Sequence, residues 1–133
     1  MLATLDEFAV RDVLAESRKS SAIVERGLVK LKELPFIAYV RGEKGGMVWG
    51  VETRDHAGKT ASDWANALVL ACYRGEANDG IHLLGPLAKK VVRIAPPLVL
   101  TEAEARAAME LMGRVLRSLV ADTKTAGRAA VAR

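Results

Sequence analysis

Apolar residues recur at intervals of three and four over residues 2–34, which is the spacing of a helix that buries one face. Three serines and Gly27 interrupt the pattern, so one long helix and two consecutive helices both fit it. Pro35 ends the helical stretch, because proline disfavours a helical conformation in the residue before it. The apolar positions predicted to share this face, in two groups, are Leu5, Phe8, Val13 and Leu14, then Ile23, Val24, Leu28 and Leu31.

The pattern then changes to short apolar runs separated by turns. Residues 36–42 are rich in aromatic and β-branched types and predict a strand. Residues 43–46 contain two glycines and predict a turn, since glycine adopts positive φ at little cost. Residues 47–53 alternate with period two and predict the returning strand. Together these segments predict a β-hairpin.

A middle helix is predicted to start near Thr60 or Ser62, because Thr60 and Asp63 have the spacing of a capping box. Its predicted apolar face carries Trp64, Leu68, Ala71 and Cys72. Residues 81–84 and 91–95 then predict two short strands. Thr101 and Glu104 form a second capping box before the final helix, whose apolar stripe consists of Ala105, Ala108, Met109, Met112, Val115, Leu116 and Leu119.

This order of elements predicts an α+β fold. We expect a small, mostly antiparallel sheet of three or four strands, packed with a long N-terminal helix, a middle helix and a C-terminal helix. The chain has 133 residues, which is the size of one domain. We expect that domain to cover residues 1–122, and residues 123–133, which are rich in alanine and threonine, to form a flexible tail.

Composition excludes several classes of function. The single cysteine, Cys72, cannot form an intramolecular disulfide. The net charge of +4 is mild and lacks the dense basic patch of a nucleic-acid binder. The sequence carries no signal-peptide pattern and no long uninterrupted apolar run. We therefore expect a cytoplasmic protein whose partners include neither nucleic acid nor a membrane.

Arg93 is the one candidate functional residue, because it lies within the apolar strand predicted at 91–95. Burying an unpaired guanidinium is costly. Arg93 is therefore either an exposed or salt-bridged residue of an edge strand, or a fork of donors for a ligand carboxylate. The sequence shows no obvious acid placed to pair with it.

Other kinds of site find no support in the sequence. His56 and His82 lack a second histidine, cysteine or acid at metal-ligand spacing, so we expect no metal site. Serine-nucleophile, phosphate-loop and dinucleotide motifs are absent from the sequence. We therefore predict no catalytic residue in this chain.

Four segments, in this order, carry a family resemblance: residues 2–6, residues 40–52 (Val40-Arg41-Gly42, then Gly46 to Glu52), residues 80–98 (Gly80 to Leu84, then Val91 to Leu98), and residues 101–104. They resemble the class III aminotransferases, pyridoxal-phosphate (PLP) enzymes of fold type I that include the ornithine and 4-aminobutyrate transaminases. The second segment is similar to the family hairpin V-R-G-x-G-L-M-x-G-I-E, with a longer turn here. The third is similar to the block that ends N-V-[IL]-R-[LF]-x-P-[PA]-L, and the fourth to the helix start T-x-x-E.

The resemblance implies the small C-terminal domain of such an enzyme, which transfers an amino group between an amino acid or amine and a 2-oxo acid. Arg93 matches the family's strand arginine and is thereby a candidate substrate-binding residue. The matched segments include neither the Schiff-base lysine nor the rest of the PLP site, and none of the lysines sits in the family's lysine motif. The resemblance therefore implies that PLP is a cofactor of the full enzyme, bound by a large domain in the same chain or a separate one.

Whether this chain takes part in catalysis stays open from sequence. It is expected not to transaminate alone, and a cloned domain, half of a split enzyme and a gene remnant all fit. The alternative is a standalone binding or assembly module that kept the fold without the chemistry. In either case we expect an apolar N-terminal face at Leu2, Leu5 and Phe8 to pair two copies as a symmetric homodimer.

Overall fold

The computed structural model describes the backbone of residues 2–86 and 88–131, and the side chains of residues 3–86 and 88–123. Over these residues, the elements are, in chain order, helix α1 (Leu2–Val10), helix α2 (Val13–Lys30), a 3₁₀ turn (Leu31–Glu33), strand β1 (Ile37–Gly42), strand β2 (Trp49–Thr53), helix α3 (Ala61–Arg74), strand β3 (Val91–Ile94) and helix α4 (Glu102–Val131).

The predicted N-terminal helix is two helices, because the chain breaks at Arg11 and Asp12. The Asp12 side chain accepts a hydrogen bond of 3.0 Å from a backbone N–H in the first turn of α2 and so caps that helix. The serines and Gly27, where the sequence suggested an interruption, lie inside α2. The buried Ser21 hydroxyl donates to the Gly46 carbonyl at 2.6 Å, so the helix tolerates it without an unsatisfied polar group.

The break separates apolar positions that were expected to share one face. Val13 is buried and Leu14 is exposed, because α2 turns Val13 towards the core. On α1, Leu5 is 61% exposed and Phe8 is 43% exposed, as expected for an unpartnered apolar face. The Leu2 side chain lies outside the described residues.

The three strands form one antiparallel sheet in the order β1–β2–β3. The turn between β1 and β2 closes where the Gly46 N–H donates to the Glu43 carbonyl at 2.9 Å. Gly45 has a φ of +78°, a conformation that glycine adopts at little cost. The returning strand starts at Trp49, two positions later than predicted. The predicted hairpin and the α+β fold class are confirmed.

Residues 81–84 form no strand, which corrects the prediction of a strand there. The Ile81 N–H donates to the Cys72 carbonyl at 2.7 Å, so this segment is bound to the end of α3 instead of to the sheet. Leu83 is buried and anchors the segment on the core. The apolar pattern of residues 81–84 therefore reflects burial without strand pairing, and β3 is left as an edge strand.

Helices α3 and α4 begin at their predicted caps. Thr60 and Asp63 form a capping box before α3, and Thr101 and Glu104 form one before α4. The apolar faces of α2, α3 and α4 pack with one face of the sheet into a single core. The largest fully buried side chains of this core are Trp64, Phe36, Leu28, Ile37, Leu68, Met112 and Leu116.

Helix α4 is longer than predicted. Its backbone is helical as far as Val131, through most of the segment 123–133 that was expected to be a flexible tail. Side chains from residue 124 onward, and residues 132–133 entirely, lie outside the described part, so the boundary at residue 122 stays a prediction. Within the described residues, none of the helices combines the length and apolar character needed to cross a membrane.

Candidate functional site

Arg93 lies on the strand face opposite to the core. Its two neighbours in β3, Val92 and Ile94, are buried, whereas Arg93 itself is exposed. In the described part of the chain, its side chain takes part in no ion pair and no hydrogen bond. Among the described residues, the salt-bridged form of the edge-strand alternative is therefore absent. The solvent-exposed form and the carboxylate-binding alternative both fit the exposed guanidinium.

The register places Arg93 in a row with Gly50 and Arg41. Gly50 in the central strand stands opposite Arg41 of β1 on one side and Arg93 of β3 on the other. A β-carbon on Gly50 would lie 3.3 Å from the Val91 Cγ1, which is a tight contact, and 3.5 Å from the Arg41 Cγ, which is an ordinary one. Gly50 thus leaves the space between the two arginines free of a side chain from the central strand.

The next row along the sheet contains the one acid of this face. Glu52 stands opposite Tyr39 on β1 and Val91 on β3. These two rows together make up the sheet face turned away from the core, which we call the open face; it consists of Tyr39, Arg41, Gly50, Glu52, Val91 and Arg93.

The Glu52 side chain is largely buried, and two cations contact its carboxylate. Its Oε2 pairs with the Arg41 guanidinium, and its Oε1 lies 2.8 Å from the Lys90 Nζ. The hydrogen bond from Lys90 lowers the pKa of Glu52; burial opposes this effect, and the charges of Lys90 and Arg41 lower the pKa further. Glu52 is therefore a carboxylate at neutral pH.

The sequence showed no acid placed to pair with Arg93, and in the described residues Arg93 makes no ion pair, but the structure does place one acid, Glu52, diagonally across the sheet from it. Glu52 was missed because residues 52 and 93 are far apart in sequence, and only the pairing register brings their strands together. The available signal was the alternation within each predicted strand, which puts Gly50 and Glu52 on one face. Without the register, that signal does not say which residue of β3 lies opposite.

A groove of about 310 Å³ lies where the chain leaves β3. Its lining is mostly apolar and comes from the segment 81–84, the stretch 93–97 and helix α4. His82 lines it from an exposed position, with its ring 6.0 Å from that of Tyr73. The other histidine, His56, is half-buried and its ring lies 5.9 Å from that of Trp64. Among the described residues, no cluster of histidine, cysteine and acidic side chains is placed to hold a metal ion.

The described residues do not fit a PLP site. A Schiff-base lysine needs a desolvated pocket tuned to the cofactor. Every lysine whose side chain is described is exposed. Lys59 lies over the Trp64 ring at 5.1 Å, and Lys90 is paired with Glu52, so both have structural contacts. We therefore derive no step of PLP chemistry from this chain.

Comparison with known proteins gives matches among solved structures, whereas no family model and no curated protein sequence matches. The acetylornithine aminotransferase from Elizabethkingia anophelis is 21% identical, with a TM-score of 0.72 over 88% of this chain and 27% of its own. An (S)-enantioselective omega-transaminase from Thermomicrobium roseum is 25% identical, with a TM-score of 0.68 over 88% of this chain and 25% of its own.

A third match is the ornithine aminotransferase from Toxoplasma gondii, in a structure with PLP at partial occupancy in the active site. It is 21% identical, with a TM-score of 0.61 over 80% of this chain and 24% of its own. The chain thus spans about a quarter of the length of these aminotransferases. As the sequence motifs predicted, the chain has the fold of a segment of the class III aminotransferases.

Proposed function

We propose that this chain acts as the small C-terminal domain of a class III, PLP-dependent aminotransferase. Together with a PLP-binding large domain, in the same polypeptide or in a separate chain, it would help to transfer an amino group between an amino acid or amine and a 2-oxo acid. In this proposal residues 1–122 are the domain, residues 123–133 are its tail, and the enzyme is a cytoplasmic homodimer. The observation that carries the proposal is Arg93, which is exposed on the open face of this fold and makes no ion pair with an acid among the described residues.

Arg93 has the chemistry that this role requires. A guanidinium presents two parallel N–H donors, which match the two oxygens of a substrate carboxylate. The neighbouring Gly50 carries no side chain that could cover it. In the proposed enzyme, Arg93 binds and orients the substrate, while the large domain holds the cofactor that supplies the amino-transfer chemistry.

The proposal predicts that PLP chemistry needs the large domain. Incubated with PLP alone, the chain should give no shifted absorbance band that borohydride fixes. A chimera in which this chain replaces the matched segment of the Thermomicrobium roseum omega-transaminase should transaminate, whereas the same enzyme truncated before that segment should not. Fixation of PLP on one defined lysine of the isolated chain would contradict the proposal, as would a chimera that folds and binds PLP but is inactive.

The alternative function, a standalone assembly module, is favoured by one observation: the apolar side chains Leu5 and Phe8 of α1 are exposed. A helix face of this kind is often buried against a second copy. We expect the isolated chain to form a dimer through α1, and Phe8→Glu to raise the dimer dissociation constant about tenfold or more, because a charge at an apolar contact is strongly unfavourable. Sedimentation velocity over a range of concentrations measures this.

Val29→Glu is the matched control for that experiment, since Val29 is exposed to a similar degree on α2. It should leave the dissociation constant unchanged. A chain that sediments as a monomer at high concentration, or a dimer weakened equally by both variants, would remove α1 as the dimer contact.

A further inference from the structure

Glu52 stands diagonally across from two arginines. Gly50 pairs with both Arg41 and Arg93, and Glu52 lies two residues further along the same strand. Glu52 is therefore two register positions away from each arginine. Diagonal neighbours on one face of a sheet have Cα atoms about 7–8 Å apart, which is within reach of long side chains. The fold alone therefore allows Glu52 to pair with either arginine.

The structure resolves this choice in favour of Arg41. Arg41 pairs with the Oε2 of Glu52, and Lys90 contacts its Oε1 at 2.8 Å, so both oxygens are engaged. The Glu52 side chain is 12% exposed, whereas those of Arg41 and Lys90 are 61% and 56% exposed. The two cations thus engage both carboxylate oxygens and hold them against the sheet, which leaves neither oxygen for Arg93.

We propose that Arg41 and Lys90 are positioning residues, which hold Glu52 away from Arg93 and thereby keep the Arg93 guanidinium open to an incoming carboxylate. The role of the open guanidinium rests on the proposed function, whereas the choice of partner for Glu52 does not. Within the described strands, Glu52 is the carboxylate that both arginines can reach. If Arg41 and Lys90 were lost, the cation diagonally across the sheet from Glu52 would be Arg93. Arg54, two residues further along the chain, donates to the Ile37 carbonyl instead.

Reactivity with phenylglyoxal tests the proposal on the full chain, because this reagent modifies open guanidinium groups faster than groups paired with a carboxylate. Peptide mass spectrometry follows each arginine separately. In the wild-type chain, Arg93 should react about as fast as Arg18, which is exposed on α2 and has no ion pair in the described part of the chain. In the double variant Arg41→Met, Lys90→Met, modification of Arg93 should slow about twofold to fivefold, the effect expected of one cross-strand ion pair near a surface.

Adding Glu52→Gln to the double variant should restore the wild-type rate at Arg93, because the amide carries no charge. Arg18 serves as the internal reference in every sample. An Arg93 rate that does not change in the double variant would overturn the proposal. So would an Arg93 rate that rises when Glu52→Gln is introduced alone, since Glu52 would then already contact Arg93.

A second measurement covers the case in which the double variant does not fold. In the single variant Lys90→Met, Glu52 keeps Arg41 on its Oε2, but its Oε1 loses its partner and becomes available to Arg93. The NMR signal of the Arg93 Nε–H should therefore shift as Glu52 titrates in this variant, whereas in the wild-type chain it should not. An Nε–H signal that is insensitive to Glu52 in both chains would overturn the proposal. If the pairing behaves as expected but substitution of Arg93 leaves substrate binding unchanged in the chimeric transaminase, the proposed function fails and the pairing stands.

Discussion

Replacing Trp64 by alanine should lower the free energy of unfolding by about 3–5 kcal/mol, the usual loss when a buried tryptophan is truncated. Trp64 is fully buried at the start of α3. Its ring stacks on that of Phe36, with centroids 4.4 Å apart and planes inclined by 12°. Its Nε1–H donates to the His56 carbonyl at 2.8 Å. The residue therefore joins α3 to the chain before β1 and to the loop after β2, and urea unfolding followed by circular dichroism measures its loss.

Two variants serve as controls for this prediction. Tyr73→Ala removes an aromatic ring that is 65% exposed on the same helix, and should change stability by less than about 1 kcal/mol. Trp64→Phe keeps most of the buried ring, so its cost should be well below that of Trp64→Ala. The Lys59 N–H also donates to the His56 carbonyl, which therefore keeps a partner in this variant. Equal losses for Trp64→Ala and Tyr73→Ala would show that Trp64 is not the anchor that its burial indicates.

Replacing Arg93 by alanine in the chimeric transaminase should lower kcat/KM for a carboxylate-bearing substrate by about 10- to 150-fold, which corresponds to about 1.5–3 kcal/mol for one charge-assisted contact. The loss should appear mainly as a higher KM, because the contact is present in the ground state as well as in the transition state. Arg93→Lys should also raise KM, by less, since it keeps the charge but lacks the planar pair of donors. Steady-state kinetics at varied substrate concentration measure both effects.

An amine substrate without a carboxylate provides the control for Arg93. Its kcat/KM should be nearly the same in the wild-type and Arg93→Ala chimeras. Stability should also be nearly unchanged, since Arg93 is exposed and makes no ion pair in the described structure. A variant that unfolds the domain, or that impairs both substrates equally, would argue for a structural role instead of carboxylate binding.

The elements that could be predicted from the sequence are those set by neighbours along the chain. A capping box needs residues only three positions apart, and both predicted boxes, at Thr60 and at Thr101, are present. The β1–β2 hairpin depends on a short glycine turn between two alternating runs, and it formed as predicted. The placement of Arg93 on the face opposite Val92 and Ile94 agrees with simple alternation within one strand. In each case the physical cause acts over a few residues.

What only the tertiary structure decided depends on contacts between distant residues. The serines of α2 were expected to weaken the helix, but Ser20 and Ser21 donate to the distant carbonyls of Leu100 and Gly46. The third, Ser17, donates to the Leu14 carbonyl of its own helix. Residues 81–84 had the composition of a strand, but the Ile81 N–H donates a hydrogen bond to the Cys72 carbonyl near the end of α3. The candidate site shows the same limit: the sequence identified Arg93 as a candidate, and the register of the three strands brought Gly50, Glu52 and Arg41 beside it. Strands β2 and β3 are joined by a long connection that contains α3, so no short turn fixes their register, which is decided by how the strands pack.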